Sequence, residues 1–360
     1  MNDDLIARWV RPAVRALHAY HVPDSAGFIK LDAMENPYTW SDELLDLWLE
    51  ELRQVSVNRY PHPDAPTLKQ QLRLTMGIPA DAELVLGNGS DELIQMVAMA
   101  LAEPGRTVLA PEPTFVMYGM ITRFTAMNYI GVPLRSDFEL DMPAMLAAIE
   151  QHQPAIVFLS YPNNPTANLF DRQAVCQIIE RSPGLVVVDE AYHAFAGDSF
   201  MSEVTRYPNL IVMRTVSKMG LAGLRLGFMA GSASWMNEFN KVRLPYNINV
   251  LTQVSADFAL RHQDVFNRQT EQICKDRGQL LKDLAACKGV TPFPSSANFV
   301  LFRTVSGQAT AIFESLKAQG VLIKNMSKNG GFLTDCLRVT VGAPDENAAF
   351  MVALRRALQN

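Results

Sequence analysis

The chain predicts an α/β fold, with a large domain built on a mostly parallel sheet flanked by helices and a smaller α+β domain after it. Between residues 41 and 244, short apolar runs of strand length alternate with longer segments of helical periodicity, as repeated βα units require. After about Tyr246 the order changes to long helices and then strands, which reads as a second unit. Three of the strand-like runs end in polar groups that could converge, because open α/β sheets bind ligands at the carboxyl ends of their strands.

The elements follow in order. A helical pattern over 41–55 leads through the turn Asn58-Arg59-Tyr60-Pro61 to another over 67–76. Gly87-Asn88-Gly89-Ser90-Asp91-Glu92 opens the helix 90–102, with Ser90 or Asp91 placed to cap it. Strands at 108–110, 129–133, 156–160, 185–188 and 210–213 alternate with helices at 114–124, 141–152 and 171–181. The second unit carries helices 251–262 and 264–287, strands near 297–302 and 337–341, and a terminal helix 345–358. We therefore divide the chain into an N-terminal segment 1–40, a large domain 41–245 and a small domain 246–360. The N-terminal segment is too short to fold alone and is expected to pack on the small domain or on a partner subunit.

The chemistry concentrates at three strand ends. Strand 156–160 runs into Tyr161-Pro162-Asn163-Asn164-Pro165-Thr166, too rich in proline to continue as sheet. The next ends in Asp189-Glu190-Ala191-Tyr192, and the last in Thr215-Val216-Ser217-Lys218, with Arg225 following in a glycine-flanked turn. A lysine held there beside hydroxyls and a second cation has a lowered pKa, which suits covalent amine chemistry next to a phosphate. Gly89 at a helix start would let backbone N–H groups approach such a phosphate, although an ordinary turn and cap explains the same residues. It is no dinucleotide fingerprint, since Glu92 stands where the third glycine belongs. The strand-plus-acid at Asp189 also suits a nucleotide triphosphatase, but the chain has no Gly-Lys dipeptide for its phosphate loop.

Composition narrows the classes. A chain of 360 residues, 48% hydrophobic and with a net charge of −5, offers no electrostatic case for nucleic acid. Its four cysteines, Cys176, Cys274, Cys287 and Cys336, are far apart and suggest neither a disulfide framework nor a zinc ribbon. His18, His21 and His62 lack ligand spacing, and no metal is expected. With no leader-like N-terminus and no apolar run near the roughly 20 residues that span a bilayer, a soluble, cytoplasmic protein is expected.

The motifs together resemble the fold-type I pyridoxal-phosphate enzymes, specifically the class-II aminotransferases and most closely the histidinol-phosphate aminotransferases. The resemblance covers nearly the whole chain. Its further marks are Lys30-Leu31-Asp32-Ala33-Met34-Glu35-Asn36-Pro37, Pro113-Thr114-Phe115 and Leu337-Arg338-Val339-Thr340-Val341-Gly342. It implies a seven-stranded, mostly parallel sheet and pyridoxal 5′-phosphate as cofactor, held as an aldimine on Lys218. Asp189 would keep the ring nitrogen charged, Asn164 and Tyr192 would bond the ring's 3-oxygen, and Phe115 would stack on the ring. The phosphate would be held by backbone N–H groups at Gly89, Ser90 and Asp91, by Ser217 and Arg225, and by Tyr60 from the other subunit of a homodimer.

Arg338 would take the substrate's anionic group, with Asn164 and Tyr20 also lining the substrate pocket. The implied reaction is ping-pong transamination between histidinol phosphate and 2-oxoglutarate, in the biosynthesis of histidine. Aromatic-amino-acid transamination and amino-acid phosphate decarboxylation are the rivals on the same scaffold. A cofactor-binding regulator is a third class, but the chain has no basic DNA-binding module. Three departures touch loop shape: Met34 replaces an asparagine, Ala167 replaces a glycine, and the segment between Lys218 and Arg225 is one residue shorter than usual.

Overall fold

Residues 2–17, 19 and 24–359 are described by a computed structural model. Two short helices, α1 (Asn2–Trp9) and α2 (Pro12–Arg15), precede a two-residue strand, β1 (Ile29–Lys30). Helices α3 (Asp42–Leu52) and α4 (Pro66–Met76) lead to β2 (Glu83–Gly87) and α5 (Gly89–Leu101). Alternation follows with β3 (Thr107–Glu112), α6 (Met117–Phe124), β4 (Asn128–Pro133) and α7 (Met142–His152). It continues through β5 (Ile156–Ser160), α8 (Arg172–Arg181), β6 (Leu185–Asp189), β7 (Leu210–Thr215) and β8 (Gly227–Gly231). Three helices come next: α9 (Ala233–Val242), α10 (Val250–Arg261) and α11 (Gln263–Ala285). The chain ends with β9 (Thr291–Pro292), β10 (Phe299–Arg303), α12 (Ala309–Ala318), β11 (Val321–Leu322), β12 (Lys324–Asn325), β13 (Cys336–Thr340) and α13 (Pro344–Ala357).

Seven strands form the central sheet in the order β2-β8-β7-β6-β5-β3-β4, and β8 alone runs against the rest. The strands are apolar throughout because both faces are covered. Val186, Val188, Val157 and Leu159 face one buried cluster, shared with α4, α7 and α8. Leu185, Val187, Ile156 and Phe158 face the other, shared with α5, α6 and α9. Asp141 and Asp171 start α7 and α8 by accepting the N–H groups of Ala144 and Ala174 at 3.1 and 2.8 Å.

The start of α5 differs from expectation. Neither Ser90 nor Asp91 caps it; Asn88 is the cap position, and the Glu92 carboxylate reaches back to the Asn88 N–H at 2.6 Å. Ser90 and Asp91 thus sit inside the first turn, which frees both side chains to face the sheet edge.

A third cluster is built on the four-stranded sheet β12-β13-β10-β9 with α11, α12 and α13. β1 joins it by pairing with β11, and Leu31 and Met34 are buried there. Helix α10 belongs elsewhere: Ala256, Ala259 and Leu260 pack with the central-sheet cluster, and the chain enters the third cluster along α11, from Ile273.

Candidate active site

At the carboxyl edge of the central sheet, the ends of β2, β5, β6 and β7 and the start of β8 surround a cavity of about 410 Å³. Register does the assembling. Ser160 pairs with Asp189, and Gly87 and Thr215 both pair with Gly227, so the loops beyond them open on the same side. Phe115, Asn164, Asp189, Tyr192, Ser217, Lys218, Arg225, Ser90 and Asp91 all line this one space.

Asp189 is 2% exposed. Its Oδ2 accepts the Tyr118 hydroxyl at 2.8 Å and its Oδ1 the Ala191 N–H at 3.1 Å. Burial pushes its carboxyl up to about 7, against the pull of those two hydrogen bonds.

Lining the same cavity, Lys218 stands in the one-turn 3-10 helix Ser217–Met219, just past β7. Its Nζ donates to the Ala33 carbonyl at 3.1 Å and lies 5.9 Å from the Tyr192 ring centre. Burial, with Arg338 adding to it, brings the amine down to about 8, while Glu35 and Asp91 oppose the shift. An amine with that pKa is a competent nucleophile and base near neutrality.

Asn164 lies between two groups. Its Nδ2 donates to the Tyr192 hydroxyl at 3.2 Å, and its Oδ1 accepts from Arg338 at 2.6 Å. Arg338, 6% exposed on β13, also donates to the Asp32 carbonyl at 3.1 Å. Lys324, its cross-strand partner, has an amine lowered by burial and by Arg338. That second cation escaped sequence reasoning, because a two-residue strand leaves no period to read.

An anion cradle lies where α5 begins. Gly89 has φ +79°, and a Cβ placed on it would come within 2.7 Å of Arg225 Nη2, so the guanidinium rests on the glycine's bare α-carbon. Arg225 itself takes a left-handed conformation, φ +50°. The Ser217 hydroxyl lies 2.9 Å from Thr215 Oγ1. Backbone N–H groups at a helix start, a guanidinium and hydroxyls make the donor set that a phosphate dianion requires. Asp91 is the exception: burial raises its carboxyl against Arg225 and Lys218, and its Oδ1 is buried with no hydrogen-bond partner among the described residues.

Tyr60, expected at the phosphate, is not brought into this cavity. Tyr60 is 81% exposed on the surface, stacked on Tyr246 at 4.5 Å. Tyr20 lies outside the described residues, as do His18 and His21. Tyr118 was missed altogether. Its signal was a lone hydroxyl in an apolar helix, since a buried tyrosine needs a partner, but the sequence does not say which.

A strand-end lysine facing a buried acid beside an anion cradle defines a transferase of the pyridoxal-phosphate type. The model of the family described as aminotransferase class I and II matches residues 26–354, and the chain belongs to that family. It is 58% identical to histidinol-phosphate aminotransferase 2 of Nitrosococcus oceani, over 100% of both chains. To the histidinol-phosphate aminotransferase of Chromobacterium violaceum it is 55% identical, over 98% of each. Among solved structures it resembles the histidinol-phosphate aminotransferase of Sinorhizobium meliloti in complex with pyridoxal-5′-phosphate, with a TM-score of 0.87 and 24% identity over 98% of each chain.

Proposed function

We propose that this aminotransferase uses pyridoxal 5′-phosphate to move the amino group of histidinol phosphate to 2-oxoglutarate, giving imidazole-acetol phosphate and glutamate. One observation carries the reading: a single cavity is lined by a buried acid that has no paired cation among the described residues and by an amine drawn toward neutrality, and a phosphate cradle closes one end. The full-length relatives named for that substrate support the choice of reaction.

When bound, the cofactor supplies an aldehyde for the amine and a ring that withdraws electrons from the substrate's α-carbon. Asp189 would keep the ring nitrogen protonated, Phe115 would lie against the ring, and Asn164 and Tyr192 would bond the ring's 3-oxygen. Gly89, Ser90, Asp91, Ser217 and Arg225 would hold the phosphate, the first three through backbone N–H groups. Lys218 Nζ would hold the cofactor at rest and would serve as the base that takes the proton from the substrate's α-carbon. Arg338 would receive the phosphate of one substrate and a carboxylate of the other, a fork that fits both. Tyr20 is proposed to line that pocket.

We propose a homodimer in which Tyr60 reaches the partner's phosphate cradle. The exposure of Tyr60, stacked on Tyr246 outside its own chain's cavity, supports this. The split at 245/246 is likewise our reading, supported by the separate buried cluster, although α10, which it assigns to the small unit, packs with the central-sheet cluster. No helix among the described residues is long and apolar enough to cross a membrane, and the four unbridged cysteines suit the cytoplasm. Incubating purified protein with histidinol phosphate and 2-oxoglutarate should form glutamate. Carbon dioxide release without glutamate would overturn the reading.

A further inference from the structure

We propose that Tyr118 is a positioning residue for the cofactor's acid, its hydroxyl holding the Asp189 carboxylate ionised and aimed at the ring nitrogen. This rests on the reading of the site above only where the cofactor is concerned.

The geometry is that of a fixed donor. Tyr118 is fully buried on α6. Its ring lies parallel to Phe158 on β5, with 4.6 Å between centres and 4° between planes, and meets Phe115 edge-on at 5.6 Å. The hydroxyl donates to Asp189 Oδ2 at 2.8 Å, with the Ser160 hydroxyl as a second neighbour. Burial raises the phenol well above its ordinary value, and Asp189 and its hydrogen bond outweigh the opposing pull of Ser160, so the proton stays on the tyrosine as a donor.

Asp189 needs such a donor. Besides burial, the charged groups facing it are Asp91 and Glu190, which also push its carboxyl upward. Among the described residues, the Tyr118 hydroxyl and the Ala191 N–H favour the ionised form. An acid left protonated here would lend the cofactor's ring nitrogen no charge. By also flanking Phe115, Tyr118 joins the carboxylate's aim to the residue placed against the ring.

Tyr118→Phe removes the hydroxyl and keeps both ring contacts. In cofactor-free full-length protein with 13C-labelled aspartate, the Asp189 signal is assigned by its loss in Asp189→Asn. Its pKa should rise in Tyr118→Phe by about one to two units, the worth of one hydrogen bond to a charged group. An unchanged pKa overturns the proposal. In protein loaded with 15N-pyridoxal phosphate, the ring-nitrogen resonance should move toward its unprotonated position in the variant; an unmoved resonance also overturns it. Should Tyr118→Phe not fold, wild-type protein containing 3-fluorotyrosine, a stronger donor, should show the Asp189 pKa shifted downward, and no downward shift counts against the role. Failure of wild-type protein to take up pyridoxal phosphate would instead sink the proposed function, while the cofactor-free titration would still decide on Tyr118.

Discussion

Asp189 and Glu190 are neighbours at the end of one strand, both acids, both buried, and they are satisfied in opposite ways. Glu190, wholly buried, is ringed by its own chain. Arg214 pairs with it at 2.8 Å, Ser199 donates at 2.9 Å, and the Phe200 N–H adds a third bond. Arg214 in turn is anchored to the Met76 carbonyl at 2.9 Å. Asp189 points the other way, into the cavity, with one phenol and one N–H and, among the described residues, no cation paired to it. A buried acid whose chain supplies every partner is architecture. One left short of positive charge is waiting for a ligand to bring it.

The comparison breaks most visibly at the other side of the cavity. Lys218→Ala should lower transamination by about 10⁴-fold or more, since the general base and the covalent anchor vanish together; a steady-state assay retaining a tenth of the activity would remove Lys218 from the chemistry. Between the two acids, the effects should separate by kind. Glu190→Gln should cost on the order of 3 kcal/mol in urea melts, because Arg214 is left buried without its counter-charge. Asp189→Asn should leave cofactor-free stability at pH 8 no lower than wild type, yet cut turnover by about 10²-fold or more. Equal losses of stability in both variants would erase the distinction.

A pH series sharpens it further. In cofactor-free protein the folded Asp189 titrates near 7, above an unfolded value of about 3.9, so its contribution is complete below about 4 and is lost as pH rises through 7. Lys218 has the mirror-image sign. Its folded value near 8 lies below an unfolded value of about 10.4, so its contribution is complete above that and lost as pH falls through 8. The two leave a trough of stability around neutrality. Melts at stepped pH should show the gap between wild type and Asp189→Asn widening from about pH 4 to 7 and then levelling; a constant gap would contradict the shift. The smallest effect concerns the strap over Lys218. Met34 sits at φ +54°, held by the Thr340 hydroxyl at 3.0 Å and by Asn298 Nδ2 at 2.9 Å. Met34→Asn should destabilise by about 1 kcal/mol in the same melts, because the buried methionine's lost packing outweighs asparagine's easier left-handed conformation; a stabilised variant would show that backbone strain dominates there.

Much of this was legible in the sequence because it is local. Continuous apolar runs give the buried parallel strands, and the groups that follow them, Asn164, Asp189 and Lys218, fall at strand ends by simple counting. What was hidden is what the third dimension decides. Strand β8 is Gly-Phe-Met-Ala-Gly, poor in strand formers, because a Cβ on Gly227 would come within 2.8 Å of the Gly89 backbone. Gly227 answers to the cradle rather than to β propensity, and Gly231, at the far end, to the close approach of Ile211 and Leu210. Tyr118 meets an acid 71 positions away, a pairing no period encodes. The cap of α5 was misplaced because Glu92 reaches back to Asn88 and performs the service expected of Ser90 or Asp91.

The most direct test of the account is chemical. Purified protein loaded with pyridoxal phosphate, reduced with borohydride and digested, should carry the cofactor on the peptide containing Lys218, as a cavity pairing that amine with Asp189 demands. Cofactor fixed to another lysine, or to none, would contradict it.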